Sequence, residues 1–149
     1  MSTEKNKEIV RRFIEECSNG RNDALLDEII SPDWVSHGTQ SARAGAPPLP
    51  RGVAGVRQLQ GQVFSIWPDN HWTIEDMIAA GDKVVVRMTS HATHQGEYRG
   101  IPATGRPVMF SSIWIYRLVD GRIAEAWRSA DDLGRVIQVG GTIRRAEDL

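Results

Sequence analysis

The sequence predicts an α+β domain in which three helices come first and cover one face of a curved antiparallel sheet. Three observations carry that prediction. Apolar residues in the first half recur at helical spacing. After Pro68 the apolar period switches to two, as a half-buried strand requires. The strands are then joined by glycine-bearing turns of hairpin type.

In chain order, Ile9, Val10, Phe13, Ile14 and Cys17 share one helix face, and Gly20 ends that helix. Asn22 or Asp23 is placed to cap a second helix with Leu25, Leu26, Ile29 and Ile30 as its buried stripe, and Pro32 ends it. Asp33 to His37 reads as a short extended segment. Residues 41–52 hold three prolines and two glycines and read as a loop, and the PxxP pattern inside it is of a kind that arises often by chance. Val53, Val56, Leu59, Val63, Phe64 and Trp67 form the third helical stripe, closed by Pro68. The first long strand alternates Trp72, Ile74 and Ile78 with Thr73, Glu75 and Met77. Gly81-Asp82 turns the chain into a second strand, Val84 to His94. Residues 96–106 form a long hairpin connection or bulged edge. Val108 to Leu118 and Arg122 to Ser129 are the third and fourth strands, joined at Asp120-Gly121. A short helix from Asp132 to Val139 and a flexible tail, 141–149, complete one domain spanning 1–149.

A chain of 149 residues can bury roughly 70% of its unfolded surface, so its core needs no disulfide or metal. Eighteen basic and 19 acidic residues are well mixed, with a net charge of −1. That balance argues against nucleic acid as a partner. The single cysteine, Cys17, excludes an internal disulfide, and its place on an apolar helix face suits a buried, inert thiol. No apolar run approaches the ~20 residues that span a membrane. The charged N-terminal stretch lacks the apolar region of a secretory signal. A soluble, cytoplasmic protein is expected.

Nucleotide, zinc and serine-hydrolase chemistry find no support: glycine-rich phosphate loop, His-Glu-x-x-His, cysteine pairs and the G-x-S-x-G elbow are all missing. His91 and His94 stand three apart on a strand and so face opposite sides, which leaves no shared metal, and none is expected. His94 and His37 each have two readings, a place on a pocket rim or a hydrogen-bonded surface position. His71 lies in an exposed turn. Core packing accounts for most of the five tryptophans, and the sharper reading is an aromatic-lined cavity for a flat hydrophobic ligand. Ser112, Trp114 and Tyr116 share a strand face with Val108 and Phe110. The opposite face carries Met109, Ile113 and Ile115, an apolar patch suited to a twofold interface.

The run from Gly121 to Gly140 carries the most chemistry. Ile123, Glu125, Trp127, Ser129 and Asp131 have one parity, which turns Asp131 inward beside Trp127 and leaves Asp132 to cap the last helix. An inward acid at that place can transfer a proton. The alternative makes both aspartates cap and surface acids.

The runs N-K-E-I-V-R-R-F-I-E-E, D-W-V-S-H-G, H-Q-G-E-Y-R-G-I-P-A-T-G-R-P-V, I-W-I-Y-R-L-V-D-G-R-I-A-E-A-W and D-D-L-G-R-V-I-Q-V-G together resemble the SnoaL-like polyketide cyclase (ester cyclase) family of the nuclear transport factor 2-like superfamily. The likeness runs from about Lys7 to Gly140. It implies a cone-shaped fold, three helices on a strongly bent antiparallel sheet enclosing one pocket, and a dimer. It also implies an intramolecular aldol condensation without metal or cofactor, with an aspartate near the end of the last strand as acid and base. By its offset after Trp127 that aspartate is Asp131, and His37 and His94 match histidines frequent in the family. Limonene epoxide hydrolases share the scaffold but end their last strand in Trp-Arg-Asp. Here the run is Trp127-Arg128-Ser129, so their acid is missing. The tyrosine and aspartate donors of ketosteroid isomerase have no placed counterparts.

The expectation is therefore a cofactor-free enzyme acting on a hydrophobic, carbonyl-bearing ester. Asp131 would act as base and then acid, and His37, His94 and Ser112 would donate to the enolate oxygen. Trp34, Trp67, Trp114, Tyr116, Trp127 and Ser129 are expected to hold the substrate together with Ser112. The rivals are a hydrolase or isomerase on the same scaffold, and a small-molecule binding protein without turnover.

Overall fold

The computed structural model describes residues 2–37 and 47–149. Ser2 accepts a hydrogen bond from the Lys5 N–H and starts helix α1, Thr3–Arg12. The helix then widens into a π-helical segment, Phe13–Asn19, which places Ile14, Cys17 and Ser18 inward. A 3₁₀ turn, Asp23–Leu25, leads into the short α2, Leu26–Ile29. No side chain caps that turn, although Asn22 precedes it. Strand β1, Ile30–Ser36, follows at once and runs through Pro32. Proline is tolerated because β1 lies at the sheet edge and skips pairing between Ile30 and Val35.

Helix α3, Val53–Ile66, precedes four long strands: β2, His71–Ala80; β3, Lys83–Thr93; β4, Pro107–Val119; and β5, Arg122–Ala130. The sheet order is β1-β5-β4-β3-β2. β2 to β5 are antiparallel, as expected, but β1 runs parallel to β5, so the sheet is mixed. Helix α4, Asp132–Gln138, comes last. Of the predicted loop, 41–46 lies outside the described residues, and Pro47 and Leu49 reach the interior cavity.

Two bulges bend the sheet. In β2, Ile74 pairs with Met88 and Asp76 with Arg87, so Glu75 is the extra residue. In β5, Ile123 pairs with Leu118 and Glu125 with Arg117, so Ala124 is extra. Each bulge reverses the parity of its strand beyond that point and increases the local bend. Hence Trp72 and Ile74 face inward, yet Met77 and Ala79 continue that face and Ile78 is 66% exposed. The expected grouping of Ile78 with Trp72 and Ile74 is corrected by the bulge at Glu75.

The principal core lies between α1, α2 and the concave sheet face. Val10, Leu26, Val84, Val86 and Ile123 are fully buried there, each worth about 1.5–3 kcal/mol relative to exposure. Cys17 is also buried, and burial pushes its thiol up to about 11. Two amide side chains cover free strand edges. Asn19 exchanges two hydrogen bonds with the Trp72 backbone, at 2.8 and 2.9 Å. Gln138 does the same with Met109, at 2.8 Å each way. The second clamp matters more, because β4 outruns β5 at that end and α4 is fastened across the gap.

Gly55 of α3 packs under Trp34 of β1. A Cβ there would meet the Trp34 ring at 2.8 Å and press into the Pro50 carbonyl. Alanine gains about 1 kcal/mol over glycine in helix propensity, but the overlap with backbone costs about 1–3 kcal/mol or more. Gly55→Ala should therefore lower the denaturant midpoint of unfolding. A midpoint raised by the substitution would mean that the Trp34 contact is loose.

Candidate active site

The concave face does not pack solid. Between α3, the π-helical segment and the sheet lies a cavity of about 410 Å³. Its sheet wall comes from alternate inward residues of β4, Phe110, Ser112, Trp114 and Tyr116. Trp34, Trp67 and Trp72 close other sides. Trp114 and Tyr116 stack with centroids 5.7 Å apart, and Phe13 meets Tyr116 edge-on at 5.9 Å. Burial raises the Tyr116 phenol above its usual value of 10, so it stays a neutral donor. Ser112 Oγ, Trp114 Nε1 and Asn70 Nδ2 line this space buried and without a hydrogen-bond partner among the described residues. Unpaired buried polar atoms on an apolar wall suit a ligand that brings its own oxygen atoms.

One end of the cavity is charged. Arg128 comes from β5, and Asp132 and Arg135 from α4. Beyond Ala124, the inward side of β5 is carried by Ala126 and Arg128. The first turn of α4 sets Asp132 and Arg135 three apart, on one face. The Asp132 carboxylate accepts two hydrogen bonds from Arg128, at 2.8 and 3.1 Å, and one from Arg135, at 2.8 Å. Arg135 also lies over the rings of Phe110, Tyr98 and Trp67, at 4.4, 4.8 and 5.4 Å. Burial by itself would raise the Asp132 carboxyl. Hydrogen bonding from Arg128 and the charges of Arg128, Arg135 and Arg99 outweigh it and hold the group below its usual 3.8.

The aspartate pair is thus arranged opposite to the parity reading. Asp131 is exposed, caps α4 by accepting from the Gly134 N–H at 2.8 Å, and lies outside the cavity lining. Asp132 faces inward. The reversal has one cause, the extra residue Ala124, which puts Trp127, Ser129 and Glu125 on the outer face. Trp127 stacks there on His37, with ring centroids 5.1 Å apart, and His37 Nε2 is 3.8 Å from Glu125. Of the expected pocket residues, Trp34, Trp67, Ser112, Trp114 and Tyr116 come together in the lining. Trp127, Ser129 and His37 do not.

His94 is on neither the rim nor the surface. It is fully buried behind Trp67, with ring centroids 5.2 Å apart. Its Nδ1 accepts from the Thr104 N–H at 3.3 Å, and Thr104 Oγ1 lies 2.9 Å away. That assigns the hydrogen to Nε2, which has no partner. His91 points the other way and is exposed. Among the described residues no three His, Cys, Asp or Glu side chains are grouped to hold a metal, and no helix is long and apolar enough to cross a membrane. Arg128, Arg135, Tyr98 and Arg99 were missed as site residues, and Asp132 was read as the cap rather than the inward acid. Their signal was the Arg-x-x-x-Asp-x-x-Arg spacing of 128, 132 and 135, which puts three charges on one side once Asp131 is taken as the cap.

The model of the SnoaL-like polyketide cyclase family matches residues 8–139. The chain belongs to the SnoaL-like polyketide cyclase family. It is 25% identical over 137 residues to the aklanonic acid methyl ester cyclase DnrD of Streptomyces peucetius, covering 89% of each chain. It is 26% identical to DauD of Streptomyces sp. strain C5, a cyclase of the same name, covering 89% of this chain and 80% of that one. Among solved structures, TsrD from Streptomyces laurentii superposes with a TM-score of 0.80 at 27% identity, over 95% of this chain and 99% of that one. IdmH from Streptomyces antibioticus does so at 0.77 and 31%, over 91% and 98%. The SnoaL-like relatives with curated names are cyclase enzymes.

Asp132 has a folded-state proton affinity below its ordinary value, so its contribution to stability is present above the carboxylate range and disappears as pH falls through it. Asp132→Asn should cost roughly 1–3 kcal/mol at neutral pH, because it strands two part-buried guanidiniums. That difference should shrink as pH falls below the usual carboxylate value. Denaturant titrations of both proteins across this range test it. A gap that stayed constant with pH would show that the ionised carboxylate contributes nothing.

Proposed function

We propose that this protein closes a carbon ring by intramolecular aldol condensation of a hydrophobic, carbonyl-bearing ester of polyketide type, with Asp132 as the acid–base group. The observation that supports this reading is the position of the Asp132 carboxylate, inside an aromatic cavity and bonded to two arginines. Asp132 takes the proton from a carbon alpha to a carbonyl. The resulting enolate carbon attacks a second carbonyl carbon of the same molecule and forms the new C–C bond. The π pair of that carbonyl moves to its oxygen, which takes the proton back from Asp132. Nothing is gained or lost, so the product is an isomer of the substrate.

The guanidiniums that weaken Asp132 as a base also stabilise the product of its action, since Arg128 and Arg135 can neutralise enolate and alkoxide oxygens. Ser112 Oγ, Trp114 Nε1 and Asn70 Nδ2 are free to hydrogen-bond the ketone oxygens. Trp34, Trp67, Trp72, Trp114 and Tyr116 hold the flat part of the molecule. His37 and His94 receive no role in this scheme, because neither lines the cavity.

The test is turnover of an aromatic polyketide methyl ester bearing a 1,3-dicarbonyl side chain, followed as a mass-neutral chromatographic shift. Asp132→Asn should lose roughly 10²–10⁴ in turnover. Asp131→Asn keeps the cap and should retain it. The kcat/KM of the native protein should be flat down to about pH 5, because its base is ionised throughout that range. The opposite pattern, activity lost in Asp131→Asn and kept in Asp132→Asn, would return the role to the cap residue. Binding of the ester with no product in any condition would make this a ligand-binding protein.

We also propose association of two copies through the convex sheet face. Met109 and Ile113 are 57% and 48% exposed there, an apolar patch that suits a twofold contact. Light scattering at micromolar concentration should give twice the 16.6 kDa chain mass. A mass equal to one chain would rule the association out.

A further inference from the structure

The cavity carries more positive charge than the proposed chemistry uses. Its lining holds three guanidiniums, Arg99, Arg128 and Arg135, and one carboxylate, Asp132. The excess is two positive charges among the described residues. Ring closure does not remove it. When Asp132 takes a proton from a neutral substrate, the negative charge passes from the carboxylate to the enolate, and the total inside the cavity is unchanged. A neutral ester therefore never balances these arginines at any step. For the largely buried Arg135 the lack of a counter-charge is costly, whereas Arg99 is exposed and shares its charge with solvent.

The uncommitted donors lie together. Arg135 bonds Asp132 and lies within hydrogen-bonding reach of the Tyr98 hydroxyl, and its Nε is buried with no partner among the described residues. Arg99 bonds the Tyr98 hydroxyl through Nε at 3.1 Å, and no other hydrogen bond of its side chain is present among the described residues. Tyr98 joins the two, since its ring also lies 4.8 Å from the Arg135 guanidinium. The backbone holds Arg99 in place. Tyr98 and Ile101 exchange N–H···O bonds of 2.9 Å across a two-residue turn, with φ of +49° at Arg99 and +80° at Gly100. Both values belong to a type I′ turn. Glycine takes that conformation freely, but arginine does so at a cost and is uncommon there.

Resting on the ring-closing reading, we infer that the natural substrate carries a free carboxylate in addition to its reacting carbonyls, and that this acid docks between Arg99 and the Nε edge of Arg135. Arginine suits the task because its planar donors match the two oxygens of a carboxylate. The carboxylate would sit beside the Arg128–Asp132 pair, and so would fix which carbon of the chain faces the base.

Anthraquinone-2-carboxylate and its methyl ester are the probes, titrated against the full chain by saturable quenching of tryptophan emission. The acid should bind about tenfold more tightly than the ester, the gain expected of charge-assisted hydrogen bonds. In Arg99→Gln that preference should fall to about threefold or less while the affinity for the ester stays unchanged. Arg135→Gln should also reduce the acid-over-ester preference, whatever it does to the affinity for the ester, with thermal melting to confirm that it folds. If it does not, Arg99→Gln decides alone, since Arg99 is exposed and, among the described residues, its side chain contacts the Tyr98 hydroxyl and ring. Equal affinity for acid and ester in the native protein would overturn the carboxylate site and leave the aromatic cavity standing. So would a preference undiminished in every folded variant. Failure of both probes to bind would overturn the carboxylate site and the aromatic-cavity reading together.

Discussion

The Asp132 carboxylate joins the last strand to the last helix, and the closed end of the cavity depends on it. Arg128 belongs to β5 and Arg135 to α4, and both bond the same carboxylate at 2.8 Å. Without that shared anion two guanidiniums would face each other across an apolar space. Other contacts also hold the helix: the Asp131 cap on its own N-terminus, the Gln138 clamp on Met109, and the packing of Val136 and Val139 with Trp67, Tyr98 and Val108. These set where the helix starts and which edge it covers. The ion cluster sets which side of the helix faces inward, and so gives the cavity its chemistry.

Such a cluster is a poor device for stability alone. Part-buried ion pairs recover little beyond their own desolvation, and well-packed apolar residues of similar volume often do as well or better. The rest of the enclosure shows that this chain has the apolar means. Val84, Val86 and Ile123 fill the neighbouring part of the same concave face at essentially zero exposure. At the Asp132 end the sheet carries Ser112 and Arg128 instead, with polar atoms unpaired toward the cavity. Local rules of burial are broken in one region, on residues from β4, β5 and α4, and that concentration is what a functional site leaves in a structure.

Much of this was legible in the sequence. Period-two alternation identified the inward side of β4, and with it Ser112, Trp114 and Tyr116. Asp120-Gly121 marked its turn correctly, both residues having positive φ. Alternation failed in β2 and β5, for the same physical reason. A bulge adds one residue without changing composition, so nothing in the pattern around Glu75 or Ala124 announces it, and every residue beyond is assigned to the wrong side. That slip sent Trp127 and Asp131 inward on paper, whereas the folded chain presents Arg128 and Asp132. The parallel pairing of β1 with β5 was equally invisible, since it joins segments about ninety residues apart, Ile30 to Ile123. The burial of His94 depends on Thr104, in the connection that sequence could describe only as a long hairpin or bulged edge.

With Asp132 as the proposed base, its lowered proton affinity narrows the substrates that fit the scheme. A base works best when its conjugate acid is matched to the carbon acid it must ionise, and this one is weakened by the arginines that hold it. Removing a proton beside an isolated ketone would be beyond it. A carbon flanked by two carbonyls is far more acidic, and its enolate spreads charge over two oxygens, which the guanidiniums and the free Ser112 and Trp114 donors can both meet. In the proposed mechanism the same arginines would favour the alkoxide formed on closure, so the barrier would fall at both ends of the step although the base itself is weak. Under the proposed ring closure the site would select 1,3-dicarbonyl segments, the recurring unit of polyketide chains, through electrostatics. The aromatic walls set only the width of what may enter.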